Sequence, residues 1–122
     1  MNPKMKKQNT PNELLKAAKQ LFACKGYAAT SVKDISDVAG TNVSAISYHF
    51  GGKEELLARI FVDFANEGLK PSFRPIQKPA DSLEEFKTRI DMLCHNLFDV
   101  GVKDRCAFVV CSANHNILQE MN

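Results

Sequence analysis

The chain has 122 residues, 44% of them apolar and 25% charged, with a formal net charge of +2. That length holds one small domain, or one domain and part of a second. No apolar run approaches the ~18 residues of a membrane-spanning helix.

The N-terminal MNPKMKKQNT has no apolar core for a signal peptide, so the cytoplasm is the expected compartment. Cys24, Cys94, Cys106 and Cys111 then read as free thiols rather than a disulfide framework. Charge is uneven: residues 1–60 hold nine Lys/Arg against five Asp/Glu, residues 61–122 seven against nine. A positive first half suits a DNA-binding end joined to a part with another task, although a solvated lysine-rich tail gives the same balance.

Residues 1–9 form a basic arm in which Lys4, Lys6 and Lys7 could reach a phosphate backbone or simply keep the terminus solvated. The first helix starts at Thr10, with Thr10 as cap, Pro11 at the first helical position and Glu13 behind it. Its apolar stripe is Leu14, Ala17 or Ala18, Leu21 and Phe22. Gly26 ends it, Tyr27 is placed for the accompanying hydrophobic contact, and Cys24 is expected to pack as a small hydrophobe.

Residues 30–56 organise the rest of the chain. Thr30 or Ser31 can cap a second helix, and Ser31 with Asp34 has the spacing of a capping box. Val32, Ile35 and Val38 or Ala39 give that helix one apolar face, and Gly40 breaks it. Thr41 and Asn42 turn the chain, with Asn42 suited to cap the third helix. In that helix Val43, Ile46 and Phe50 fall on one stripe, while Ser44, Ala45, Ser47, Tyr48 and His49 are small, polar or amphipathic. Two short helices about a glycine-bearing turn make a helix-turn-helix, whose second helix enters the major groove.

The run AGTNVSAISYHFGGKEEL resembles the DNA-binding signature of the TetR family of bacterial transcriptional regulators. Thr30, Ala39, Gly40, Tyr48, His49, Phe50, Lys53 and Glu54 occupy matching places, and LFACKGY followed by Thr30 resembles the family's usual end of the first helix. The chain departs from many members at Ser44, where they carry Gly, and at Ser47, where they carry Tyr. The resemblance implies phosphate contacts from Tyr48, His49 and Lys53. A helix N-terminus after Gly51 and Gly52 would add free N–H groups and a positive dipole end to the Lys53 charge. Base readout falls to Asn42, Ser44, Ala45 and Ser47; with no arginine on that helix, A·T-rich shape and phosphate register are expected to carry part of the recognition. Thr30, Ser31 and Thr41 complete the expected DNA-contacting set.

A fourth helix from Lys53 to Glu67 shows a wide apolar face of Leu56, Leu57, Ile60, Phe61 and Phe64, with Gly68 as its stop. In the family this helix links the DNA-binding domain to a regulatory domain. Residues 69–80, with three prolines, read as a linker. Ser82 with Glu85 then caps an amphipathic helix carrying Leu83, Phe86, Ile90, Leu93, Leu97 and Val100, ended by Gly101. Beyond it, the spacing of Phe108, Cys111 or Ser112, and His115 or Leu118 favours another helix over a strand.

The expected fold is therefore all-α: a three-helix homeodomain-like helix-turn-helix domain over residues 10–52, then residues 53–122 as a linking helix and part of a helical ligand and dimerisation domain. The resemblance implies a regulator, a repressor in most such proteins, that binds a near-palindromic operator as a homodimer. It implies release of the double-stranded DNA by a small-molecule inducer in the C-terminal domain. Family members run nearer two hundred residues, so the second domain is expected to be incomplete. A helical protein–protein interaction module without DNA binding stands as the alternative, and a thiol- or metal-responsive regulator as a variant. Cys106, Cys111 and His115 do not have a standard zinc spacing, and no metal or cofactor is expected. No Gly-rich phosphate loop, nucleophile motif or paired carboxylates point to an enzyme.

Overall fold

Leu14, Ala17, Ala18 and Phe22 share one side of a helix, and that side is buried in the structure. The computed structural model describes residues 10–120; the basic arm expected over residues 1–9 lies outside them. Helix α1 spans Thr10–Lys25, so Thr10 is itself the first helical residue. Gly26 follows in the left-handed region (φ 89°), and Tyr27 folds back onto Phe22 with ring centroids 5.1 Å apart.

Helix α2 (Val32–Ala39) begins with the expected reciprocal cap. The Ser31 hydroxyl accepts from the Asp34 amide, and the Asp34 carboxylate accepts from the Ser31 amide. Lys25 closes on the same carboxylate at 2.8 Å. These bonds, the Lys25 one foremost, hold the Asp34 carboxyl down from 3.8 to about 2. A folded pKa below the unfolded one favours the fold above pH 3.8, and that contribution is lost as pH falls through about 2. We expect Asp34→Asn to lower the melting temperature at pH 5 and to bring it level with the parent chain near pH 2. Calorimetry across that range checks it.

Gly40 (φ 73°) ends α2, its amide and that of Thr41 returning to the carbonyls of Asp37 and Ser36. Helix α3 (Ser44–His49) anchors through Ile46, its one buried residue. Val43 was expected in the same stripe but is exposed: at the N-cap of α3 it has helical backbone angles but no core residue over it. Asn42 does not cap α3 with its side chain; its carbonyl accepts from the Ala45 amide instead.

Helix α4 (Lys53–Phe64) buries Leu56, Leu57, Ile60 and Phe64, while Phe61 is exposed rather than part of that face. Gly68 does not stop the helix. The chain continues through a π turn (Ala65–Leu69) into α5 (Lys70–Ser72) and a 3₁₀ turn (Arg74–Ile76), so residues expected as linker are partly helical. Pro71 supplies the reason for the π turn. It has no N–H for the Glu67 carbonyl and its ring would crowd it in a regular helix, and the Lys70 amide bonds back to Ala65. Gly68 instead admits a neighbour: a Cβ there would lie 2.9 Å from Cγ1 of Val100.

Helix α6 (Leu83–Lys103) starts on the Ser82 hydroxyl, which accepts from the Glu85 amide. Glu85 reaches the Asp81 amide and Arg89 rather than completing a reciprocal box. Gly101 lies within α6, which runs on to Lys103 because no left-handed residue interrupts it; Asp104 ends it and caps α7 (Arg105–Ala113) through the Ala107 amide. Asn114 then separates α7 from α8 (His115–Glu120), so the last segment is helical as expected. Helix α6 buries none of its residues fully, and Leu83 and Phe98 are 67% and 70% exposed. No strand occurs among the described residues.

The core joins both parts. α1 packs on α2, α3 and α4 on one side and on α7 on the other, with Ala107 and Val110 of α7 in the same cluster as Leu14 and Leu57.

Candidate nucleic-acid interface

Helix α3 is too short to hold itself in water, so Ile46, with Phe50 and Ala45 half-buried beside it, fixes which face looks outward. That outward face carries Asn42, Ser44, Ser47, Tyr48 and His49, all exposed. Tyr48 is 84% exposed and meets His49 edge-to-face at 4.8 Å between ring centroids. Apart from that edge contact with His49, the ring stands open to water among the described residues. Thr41 is half-buried at the start of the turn, its hydroxyl directed to the Asn42 carbonyl at 3.3 Å.

The other expected residues lie differently. Ser31 is exposed, but its hydroxyl serves the cap of α2. Thr30 is 1% exposed, and its hydroxyl donates inward to the Gly26 carbonyl at 2.8 Å. Lys53, in the first turn of α4, places its ammonium 2.9 Å from the Tyr27 carbonyl and 3.0 Å from the Thr30 carbonyl, 4.2 Å from the Tyr27 ring centroid. Burial, and then Glu54 and Glu55, push the Tyr27 phenol up. The Thr30 hydroxyl is thus turned inward, while Lys53 is half-buried with its ammonium on the turn ahead of α2. Val43, beside Asn42 and Ser44, is an exposed apolar residue of that surface which periodicity had assigned to the core.

A second feature lies away from α3. A cleft of ≈ 610 Å³ opens between α1, α4, the π turn, α6 and α7, walled by Leu15, Ile60, Phe64 and Val100 and rimmed by Lys19 and Asp104. Those last two pair at 2.9 Å across the joint between α1 and α7.

Cys24 is exposed rather than packed, as is Cys94, whereas Cys106 and Cys111 are half-buried. No set of three His, Cys, Asp or Glu side chains among the described residues is grouped to hold a metal ion. Burial, with a lesser push from Asp104, raises the Cys111 thiol to about 11. Since the thiolate is the nucleophile, alkylation at pH 8 should reach Cys24 and Cys94 first and Cys111 last; peptide mass spectrometry over time reads the order.

The fold and this surface define the class: an all-helical chain with an N-terminal helix-turn-helix domain whose second helix is anchored by one side and bare on the other. Comparison with known proteins gives the family. The model described as "Bacterial regulatory proteins, tetR family" matches residues 14–60. Over 107 residues the chain is 30% identical to the HTH-type transcriptional regulator YfiR of Bacillus subtilis, an overlap of 83% of this chain and 50% of YfiR. It is 40% identical over 53 residues to the HTH-type transcriptional repressor KstR2 of Mycolicibacterium smegmatis, 43% of this chain and 26% of KstR2. Among solved structures, the TetR family transcriptional regulator PfmR from Thermus thermophilus superposes with a TM-score of 0.70 at 30% identity, over 84% of this chain and 53% of PfmR. The chain belongs to the TetR family of transcriptional regulators, and it spans about half the length of YfiR and of PfmR. No helix among the described residues is long and apolar enough to cross a membrane.

Proposed function

We propose that the chain binds duplex DNA as a transcriptional regulator, with α3 in the major groove. The observation that carries this is the outward face of α3, where Tyr48 stands 84% exposed beside His49. Tyr48 and His49 serve the phosphates. Asn42 can pair with adenine, Ser44 and Ser47 can bond to several base edges, and Ala45 or Val43 can meet a thymine methyl. Ser31 and Thr41 border the same surface, Thr30 holds its frame, and Lys53 at the start of α4 adds a charge for a phosphate.

The reading extends to a homodimer that places two α3 helices about 34 Å apart on a near-palindromic site. It extends also to repression relieved by a small molecule. The cleft supports that last step: it has the size of a small-ligand site, and its walls come from both the DNA-binding part and α6–α7. The uncovered apolar residues of α6 favour one other reading, a protein-interaction module on the same fold.

Selection from a random duplex pool at two salt concentrations tests the proposal. An enriched inverted repeat, bound far more weakly at the higher salt, supports the regulator and the dimer together. An enriched half-site supports the DNA-binding head without pairing. No enrichment at either salt removes the DNA reading and leaves the interaction module.

A further inference from the structure

Resting on the DNA-binding reading, we propose that Val43 sets part of the sequence preference of α3 by seating its isopropyl group against the C5-methyl of a thymine. Among residues 41–47, Val43 is the one exposed apolar side chain: Asn42, Ser44 and Ser47 are exposed and polar, and Ile46 is buried. Val43 is 44% exposed and takes no part in the core cluster, whereas Ala45 is half-buried and packs against it. Of the two side chains able to meet a methyl group, Val43 is therefore the one that reaches outward.

The fold holds Val43 where base edges are read. In a helix-turn-helix the N-terminal residues of the second helix contact the bases, and Val43 is the N-cap of α3 with helical angles (φ −56°, ψ −37°). Its carbonyl accepts from the Ile46 amide at 3.1 Å, and Ile46 is anchored in the core. A β-branched side chain is stiff about χ1, so it loses little freedom when pressed against a base. The isopropyl group has no donor or acceptor and can recognise only apolar surface on a base edge. In the major groove that surface is the thymine methyl, which cytosine lacks. No charged residue lies between Thr41 and Tyr48. The Val43 contact therefore separates T·A from C·G where a serine hydroxyl, donor and acceptor at once, does not.

Two experiments test the contact. In the first, each thymine of one selected half-site is replaced in turn by deoxyuridine, which keeps the hydrogen-bonding edge and removes only the methyl. The parent chain should lose affinity on the order of fourfold at a single position, the worth of one methyl-sized group. Val43→Ala should bind the thymine and uracil duplexes equally at that position, since its own side of the contact is gone. Alanine suits the first turn of a helix, so the variant should fold, and far-ultraviolet dichroism checks that it does. A merely structural role for Val43 would weaken binding to both duplexes and leave the uracil effect in place. That result overturns the proposal, as does a parent chain indifferent to every uracil or a selected site with no fixed thymine. The second experiment uses the parent chain alone on the selected duplex, and so stands if the variant does not fold. Nuclear Overhauser contacts should link the γ-methyls of Val43 to one thymine methyl; their absence, or contacts from Ala45 in their place, overturns the assignment. Failure of the parent chain to bind any duplex is a different result, which removes the DNA-binding reading itself and this contact with it.

Discussion

Ile46→Ala should destabilise the chain by about 2–5 kcal/mol, the range for truncating a fully buried isoleucine in a packed core. Ile46 is 1% exposed and is the only buried residue of α3. A six-residue helix has too few internal hydrogen bonds to stand alone. The loss therefore falls on the element that carries the proposed interface, and DNA affinity should drop along with the melting temperature. Denaturant unfolding followed by far-ultraviolet dichroism gives the stability, and the slope of that transition shows whether cooperativity is kept. A change under about 1 kcal/mol would mean that α3 is held by something other than this side chain.

Tyr48→Ala should do the reverse. Its ring is 84% exposed, so its removal should leave stability within about 0.5 kcal/mol of the parent, as for other open surface positions. Binding should fall by roughly 10- to 100-fold, since a single phosphate or base contact is worth about 1–3 kcal/mol. His49 stands 4.8 Å from the same ring, so the double change Tyr48→Ala, His49→Ala should cost less than the two single losses combined. Anisotropy titrations with the selected duplex measure both. Unchanged affinity in the Tyr48 variant would take the phenol out of the interface and with it the strongest support for where the DNA lies.

How much the sequence reveals depends on how local the chemistry is. The start of α2 was legible because Ser31 and Asp34 satisfy each other within one turn, and the end of α1 because a glycine was needed at Gly26. Ile35 and Ile46 were legible as core because helical spacing places them on one side. The contacts of Lys53 with the Tyr27 and Thr30 carbonyls were not legible, since these acceptors lie 26 and 23 residues away. Nor was the continuation past Gly68: Pro71 suggests a linker, and only the close approach of Val100 shows why glycine is used inside a helix there. Val43 failed for another reason. Val43 already has helical backbone angles, yet at the N-cap position of α3 no core residue covers it. In α6 the spacing correctly marks an amphipathic helix, but spacing says nothing of what covers the apolar side, and here most of it stays open.

The placement of DNA on α3 is tested most directly by backbone amide NMR of the ¹⁵N-labelled chain during titration with the selected duplex. Shifts and broadening should concentrate over residues 41–49, extending to Ser31 and the first turn of α4, with the exposed face of α6 at Leu83, Phe86 and Phe98 undisturbed. Perturbation centred on α6 and α7, with residues 41–49 unmoved, would contradict it and assign the contact to the apolar face of α6 instead.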